Sequence, residues 1–298
     1  MRSNFPIVSL LSGGLDSSSI AATAATILEK QNKSLHTLSA VLPDNYKGTG
    51  VDERYFIDQF KSFSNIEMHY IKDHNYGPFD NLEKLSQEIE HPLYTSRYYL
   101  YTAFFETAQK LNARTILDGV YGEFGASDHC RGYLAELLLK GKLFTLLKET
   151  VLKSKRDSRE IISIIKGEIV KPLLPFWAQR ILSPRFDLKQ ISQNFPIQKR
   201  FISHWAKHNF KELQKKELLL MYPSANHRNN QAAILNNSQR CMGLNYNENI
   251  AFCYPFADPR IIEFCLASPG RMKMHNGYKR YMIRAGMKGI LPTEIRWR

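Results

Sequence analysis

Apolar and polar positions over residues 1–125 predict strands and helices in alternation. The apolar run from Ile7 to Leu11 is too short for a helix and predicts a buried strand. The small and polar residues from Ser17 to Ile27 predict the first helix. The same alternation then predicts strands over Leu35–Leu42, Glu67–Ile71 and Arg114–Leu117, and helices over Val51–Phe63, Asp80–Glu90 and Ser96–Leu111. Such alternation predicts an α/β fold, a parallel sheet with helices on both faces.

The strand signal fades from about Gly132 onward. Helical spacing predicts helices over Leu134–Leu152, Arg159–Val170, Phe201–Met221, Gln231–Met242, Pro259–Leu266 and Tyr278–Met287. We therefore expect an α/β part over residues 1–130, followed by a mostly helical part over residues 131–298.

The turn between the first strand and the first helix combines glycines, serines and one acid. A strand, a glycine turn and a helix bring backbone N–H groups and a helix N-terminus towards an anion. Gly13 and Gly14 allow the backbone to approach a ligand closely. Asp16 fits such a place if a divalent cation lies between its carboxylate and a phosphate. A looser match would be an ordinary strand-to-helix turn. The predicted phosphate-binding residues are Leu11, Ser12, Gly13, Gly14, Asp16, Ser17 and Ser18.

In a parallel sheet, ligands bind at the carboxyl ends of the strands. The loops that follow the predicted strands there are Ser12–Ser18 (the first loop), Val41–Asn45 and Asp118–Ser127 (the second loop). We expect these loops to line one crevice.

Composition narrows the class of protein. The net charge is +13. Much of the positive surplus lies in Lys140–Lys171, where basic residues are interspersed with Leu and Ile at helical spacing. Aromatic residues do not interleave with these charges, so we do not expect nucleic acid as a partner. No apolar run is long enough to span a membrane, and no signal peptide is recognisable, so we expect no membrane partner.

The chain has four cysteines, and no two of them form a Cys-x-x-Cys pair. This spacing argues against a zinc site and against a disulfide framework, so we expect a reduced, cytoplasmic setting. The histidines, including His91 and His227, show no metal-ligand spacing, and we assign them no chemistry.

The motif Ser-Gly-Gly-Leu-Asp-Ser of the first loop resembles the phosphate loop of the ATP pyrophosphatases (PP-loop proteins), which cleave ATP to AMP and pyrophosphate. Further segments resemble the synthetase domain of the asparagine synthetase family, in the same order along the chain. These segments are Leu35–Pro43, Ile116–Gly125, Tyr254–Arg260, Gly277–Arg284 and Gly289–Pro292.

The resemblance implies an adenine nucleotide alpha hydrolase-like fold and an ATP-dependent ligase that forms an acyl-adenylate. It implies ATP and Mg²⁺ as cofactors, with Asp16 and Glu123 as metal ligands. Besides the first loop, the ATP-binding residues that it implies are Ala40, Asp118 and Gly119. By the same resemblance, the catalytic cation is Lys279 or Arg280.

Several residues depart from the family pattern. Glu123 stands where the family has aspartate, and Phe124 stands where an acid usually follows. The family's catalytic lysine aligns with Arg280, while Lys279 lies one residue earlier. Simpler interpretations remain open. Asp118, at the family's serine position, would cap a turn. Glu123 would be an exposed loop acid, and Lys279 a solvated neighbour of Arg280.

The resemblance implies a small carboxylate, such as the aspartate side chain, and an amine or ammonia as substrates. The family's glutaminase domain is missing here, so ammonia would come from solution or from a separate amidotransferase. Another amine, or a peptide substrate, would suit a relative that forms a β-lactam or a macrolactam. The family also continues beyond the position of Arg298, and we therefore expect a fragment of a longer protein. A tRNA-modifying PP-loop enzyme and a non-catalytic nucleotide-binding remnant are the alternatives.

Overall fold

The structure is a computed structural model that describes part of the chain. The described residues are 3–44, 46–72, 83, 98–175, 177–179, 200, 204, 228–229, 231–232 and 249–298. The predicted helices over Asp80–Glu90, Phe201–Met221 and Gln231–Met242 therefore lie almost wholly outside the described residues.

Five parallel strands form one sheet. They are β1 (Ile7–Leu10), β2 (Leu35–Ala40), β3 (Ile66–Ile71), β4 (Thr115–Leu117) and β5 (Ala251–Cys253). Their order in the sheet is β3-β2-β1-β4-β5. Since β2 and β3 lie on one side of β1 while β4 and β5 lie on the other, the winding direction reverses between β1 and β4. Open parallel sheets bind ligands at such a switch point, outside the carboxyl ends of the strands.

Helices cover both faces of the sheet because the strands are apolar on both faces. On one face Ile7 and Leu35 pack against α1 (Leu15–Glu29). Four buried alanines on α1 allow close packing there: Ala21, Ala22, Ala24 and Ala25. On the other face Val8 packs in a second cluster with Phe104 of α3 (Tyr98–Lys110). The predicted α/β class is thus confirmed.

Most of the other helices in the described residues are short. They are α2 (Arg54–Ile57), α4 (Tyr133–Leu139), α5 (Leu143–Asp157), α6 (Ile161–Ile164), α7 (Lys171–Leu173), α8 (Pro259–Ala267), α9 (Gly270–Lys273), α10 (Tyr281–Gly286) and α11 (Thr293–Arg296). The segments Asp58–Ser62, Gly122–Phe124 and Pro255–Ala257 are 3₁₀ helices, and Ile165–Val170 is a π-helix. The single helix predicted over Leu134–Leu152 is wrong, because Gly141 takes φ +66° and separates α4 from α5.

Strand β5 corrects the expectation that strands end before Gly132. Its three residues, Ala251–Cys253, pair in parallel with β4. A three-residue strand is too short to show a period of two, so its pairing partner decides its conformation.

By contacts, the chain divides into two compact units. The first unit comprises Met1–Ser127, Ser238–Cys265 and Ile283–Arg298, and it contains the sheet. The second unit comprises Asp128–Asn237 and Leu266–Met282. Within the described part of the chain, no helix combines the length and apolarity needed to cross a membrane.

Candidate functional site

The first loop closes on itself through its serines. The Ser12 and Ser17 hydroxyl oxygens lie 2.8 Å apart, and the Ser12 backbone N–H donates to Ser17 Oγ at 3.2 Å. Gly13 takes φ +71°, a conformation that favours glycine. A Cβ on Gly13 would also lie 2.9 Å from Phe56 Cβ. These constraints fix the path of the loop from β1 into α1.

Helix α1 begins directly after the glycines, at Leu15. Among the described residues, no side chain caps its N-terminus with a hydrogen bond. The first-turn N–H groups of a helix carry partial positive charge and suit an anion. Asp16 lies in this first turn, and its carboxylate would oppose an anion unless a cation lay between them.

The second loop begins at Asp118, directly after β4. The Asp118 backbone N–H donates to the carbonyl of Cys253 on β5 at 3.0 Å. The Asp118 carboxylate accepts the backbone N–H of Val120 at 3.2 Å. Burial raises the pKa of the Asp118 carboxyl, while the backbone N–H groups of Val120 and Gly119 oppose this rise. The side chain therefore caps its own turn, and the structure also places it at the switch point.

Two glycines of the second loop lie directly against the first loop. A Cβ on Gly119 would lie 2.6 Å from the backbone nitrogen of Ser17. A Cβ on Gly122 would lie 2.6 Å from Cγ of Asp16. No other residue type fits at either position without a shift of the backbone or of Asp16. At the start of α1, Gly119 thus meets the backbone of Ser17, and Gly122 meets the side chain of Asp16.

The fold therefore brings together most of the predicted ATP-binding residues. The first loop, Asp118 and Gly119 lie beside one another in the first unit, and Ala40 lies at the exposed carboxyl end of β2. Glu123 follows Gly122 and is exposed. Carboxylates at Asp16 and Glu123 are the oxygen ligands that Mg²⁺ prefers. The donor set therefore fits a magnesium-bound nucleotide.

Sequence reasoning missed a residue that fastens the first loop. Arg298 donates to the carbonyl of Gly13 at 3.1 Å and to the Glu53 carboxylate at 2.6 Å. Its guanidinium also lies over the Phe56 ring, 4.1 Å from the centroid. Because the acceptor is a carbonyl, this bond occupies none of the loop N–H groups. No local pattern signals this contact, since its partners lie far apart in the sequence.

The predicted catalytic cations lie in the second unit. Lys279 Nζ pairs with the carboxylate of Asp157, at the end of α5, at 2.7 Å. The Arg280 guanidinium donates to Nε2 of His129, with Nε at 3.2 Å. Arg280 also takes φ +57°, a left-handed conformation that is costly for a side chain of this size. The surrounding structure must enforce this conformation.

A buried glutamate holds the backbone three to four residues before Arg280. Glu149, on α5, accepts the backbone N–H of Asn276 at 3.0 Å and that of Gly277 at 2.7 Å. Gly277 takes φ +75°, and a Cβ there would lie 2.5 Å from the backbone of α5 at Lys153. Sequence reasoning missed Glu149. The available signal was a single acid on the inward face of a predominantly basic amphipathic helix.

The chain was compared with known protein families and with curated proteins, and a family match spans its whole length. A sequence model of the family described as asparagine synthase matches residues 1–298. A separate comparison with curated proteins finds no match. The family match is consistent with the parallel sheet, with the motif of the first loop and with ATP as a substrate. The chain therefore belongs to the asparagine synthase family, which implies an ATP-dependent, amide-forming ligase.

Proposed function

We propose that the protein is a carboxylate–amine ligase that forms AMP and pyrophosphate. A substrate carboxylate oxygen attacks the α-phosphorus of ATP, the bond from that phosphorus to the β-phosphate oxygen breaks, and pyrophosphate leaves. The amine nitrogen then attacks the carbonyl carbon of the acyl-adenylate. The carbon–oxygen bond breaks, AMP leaves with the electron pair, and the amine releases a proton to give the amide.

The observation that carries this proposal is the meeting of the two glycine-bearing loops at the switch point of the sheet. Gly119 and Gly122 approach Ser17 and Asp16 too closely for any side chain. The start of α1 lies at this meeting, and a helix start at a switch point is where phosphates bind in such folds. We assign the pyrophosphate part of ATP to the first loop, the adenine to the strand end near Ala40, and further contacts to Asp118 and Gly119.

Asp16 and Glu123 would hold Mg²⁺, which when bound neutralises phosphate oxygens during displacement. Glutamate at position 123 reaches one methylene further than the family's aspartate. Its exposed position leaves its carboxylate room to reach a ligand.

Lys279 and Arg280 are the proposed cations that neutralise charge growing on the α-phosphate. Arginine is a planar fork and lysine a movable point charge, so the two are not interchangeable. The left-handed backbone of Arg280 supports a functional role for it, since strained residues concentrate at active sites.

The carboxylate substrate that we propose first is the aspartate side chain, with ammonia as the amine. Ammonia from a separate amidotransferase, an amine within the same substrate or a peptide amine would use the same adenylation step. These possibilities differ in the second half-reaction alone.

Exchange of labelled pyrophosphate into ATP tests the adenylation step. The exchange is measured with L-aspartate and then with a panel of other amino acids and dicarboxylic acids. We expect one carboxylate to support exchange. Asp16→Asn should lower that exchange at least about a hundredfold, the scale of one lost electrostatic contact in a transition state.

The matched control is Glu29→Gln, which removes an exposed acid at the opposite end of the same helix. This variant should exchange pyrophosphate like the unaltered protein. Full exchange by Asp16→Asn would contradict the metal role. Release of ADP and phosphate instead of pyrophosphate would contradict the reaction, and release that requires tRNA would support the tRNA-modifying alternative.

A further inference from the structure

Two histidines and a glutamate meet on neighbouring strands of the sheet. His36 lies on β2, while Glu67 and His69 lie on β3. The parallel register places His36 opposite Glu67 and Leu38 opposite His69. Since alternate residues of a strand share a face, all three side chains lie on the same face of the sheet.

Their ligand atoms have the spacing of a metal site. His36 Nδ1 lies 3.2 Å from His69 Nε2 and 3.4 Å from a carboxylate oxygen of Glu67. All three atoms lie within 4.8 Å of one another. Tetrahedral zinc, with bonds of about 2.0–2.2 Å, separates its ligand atoms by about 3.3–3.6 Å. An ion could therefore enter this cluster with small side-chain movements.

The cluster is distinct from the proposed ATP site. His36 is the second residue of β2, whereas Ala40 is the last. At a rise of about 3.3 Å per residue, these positions lie about 13 Å apart along the strand. His36 and Glu67 are the second residues of β2 and β3, and His69 is the fourth of the six residues of β3, so the cluster lies before the carboxyl ends of these strands, whereas the two loops follow the carboxyl ends of β1 and β4.

The cluster is also accessible. Among the described strands, β3 is at the edge of the sheet. The Glu67 side chain is 57% exposed, while that of His36 is 14% exposed. A metal ion would thus have two partly buried nitrogen ligands and an open side for the carboxylate and a water molecule.

We propose that His36, Glu67 and His69 bind one divalent transition-metal ion of the zinc type and that this ion ties the edge strand β3 to β2. Two imidazoles and one carboxylate suit zinc and its neighbours better than Mg²⁺, which prefers oxygen ligands alone. Three protein ligands leave one tetrahedral position for water. Without an ion, the same atoms form a histidine–histidine hydrogen bond, and the experiment separates these two states.

The test is a titration of the metal-free protein with Co²⁺, whose visible absorption reports tetrahedral coordination. We expect saturable binding of one Co²⁺ per chain, intense visible bands and displacement by Zn²⁺. Zn²⁺ should also raise the melting temperature, because an ion that binds the folded state alone stabilises it by mass action. Mg²⁺ at the same concentration should change neither signal.

Variants identify the ligands. Replacing a residue that merely supports a metal ligand weakens metal binding by about 10–100-fold. Replacing a ligand itself costs more, so His69→Gln and His36→Gln should weaken binding by at least about a hundredfold. Glu67→Gln, at an exposed position, keeps the test valid if a histidine variant fails to fold. The matched control is His275→Gln, in the second unit, which should bind Co²⁺ normally. Cys253→Ser is a second control, since Cys253 is an exposed thiol.

Loss of binding in the three ligand variants, with both controls unaffected, supports the proposal. Absence of saturable Co²⁺ binding in the unaltered protein overturns it. Binding that survives in Glu67→Gln and in both histidine variants, or that disappears in Cys253→Ser, overturns it as well.

Discussion

Two segments that carry predicted site residues are held in opposite ways. In the first unit, Gly119 and Gly122 of the second loop contact the first loop directly through the backbone. In the second unit, the backbone N–H groups of Asn276 and Gly277, shortly before Lys279 and Arg280, are held by the carboxylate of Glu149, which is 3% exposed. The contact between the two loops requires the absence of side chains, whereas the backbone before Lys279 and Arg280 requires a buried carboxylate.

The difference follows from what each segment presents. The first unit presents backbone N–H groups and a helix N-terminus, and these must stay free of side chains to approach phosphates. The second unit presents long cations, whose backbone must be fixed if their charged ends are to have defined positions. A carboxylate that accepts two backbone N–H groups fixes such a segment strongly, because hydrogen bonds to charged groups exceed neutral ones in strength.

The largest effect should come from Gly119→Ala, which tests the contact between the loops. The new Cβ would lie 2.6 Å from the nitrogen and 2.8 Å from Cα of Ser17, so the loops must separate. Because misplacement of a site by about 1 Å can cost about a hundredfold in rate, we expect pyrophosphate exchange to fall by at least this factor.

The matched control is Gly286→Ala in the same unit, where an added Cβ meets nothing within 4 Å. Its exchange rate and its stability to urea should equal or exceed those of the unaltered protein. Normal exchange by Gly119→Ala would show that the close approach of the loops is not required.

An intermediate effect should come from Glu149→Ala, which tests the buried charge. Two hydrogen bonds to a carboxylate disappear, and hydrogen bonds to charged groups contribute about 1.5–3 kcal/mol each. Water that enters the vacated space offsets part of the loss. We expect the free energy of unfolding to fall by about 2 kcal/mol in urea denaturation, with faster amide exchange at Asn276 and Gly277.

Glu149→Gln sharpens this test, because its oxygen can accept one N–H while its NH₂ group cannot accept the other. Its loss of stability should fall between those of the unaltered protein and Glu149→Ala. Glu160→Gln, an exposed glutamate of the second unit, serves as the control. Equal losses in the Gln and Ala variants, or a similar loss in the control, would contradict the assigned role of Glu149.

The smallest effect should come from Asp118→Asn. Burial raises the pKa of the Asp118 carboxyl, so the folded state holds this proton to higher pH than the unfolded chain does. The unaltered protein therefore loses stability as pH rises through the raised pKa, while the asparagine variant has no such proton. The variant should gain stability relative to the unaltered protein, within about 1 kcal/mol at neutral pH.

This gain should shrink towards zero as the pH falls below the ordinary pKa of aspartate, where both states are protonated. Urea denaturation at a series of pH values measures the difference between the two proteins. A difference that does not vary with pH would show that burial leaves this carboxyl unperturbed. That result would weaken the contrast between Asp118, whose charged form is disfavoured by burial, and Glu149, whose buried carboxylate accepts two backbone N–H groups.

Prediction from sequence succeeded where local pattern decides structure. The run Ile7–Leu11 and the following glycines predict β1, its turn and α1, and the structure confirms them. Prediction failed at β5, whose three residues depend on pairing with β4. It also failed at Gly141, where a left-handed residue divides one amphipathic pattern into two helices.

The hydrophobic and polar pattern of the sequence did not reveal contacts between residues that lie far apart in the chain. The His36, Glu67 and His69 cluster joins positions about thirty residues apart because β2 and β3 pair in register. Glu149 likewise accepts a hydrogen bond from Gly277, which lies 128 positions later in the chain. Neither contact leaves a periodic signal, since each arises from the path of the whole chain.

The sequence by itself determined the order of the strands and helices around β1, the phosphate-binding motif and the family, because each depends on residues close together in the chain. The tertiary structure alone decided that Gly119 and Gly122 meet Ser17 and Asp16, and that a buried carboxylate fixes the backbone before Lys279 and Arg280. The physical reason is that these contacts require two distant segments to meet within about 3 Å, which depends on the packing of the whole fold.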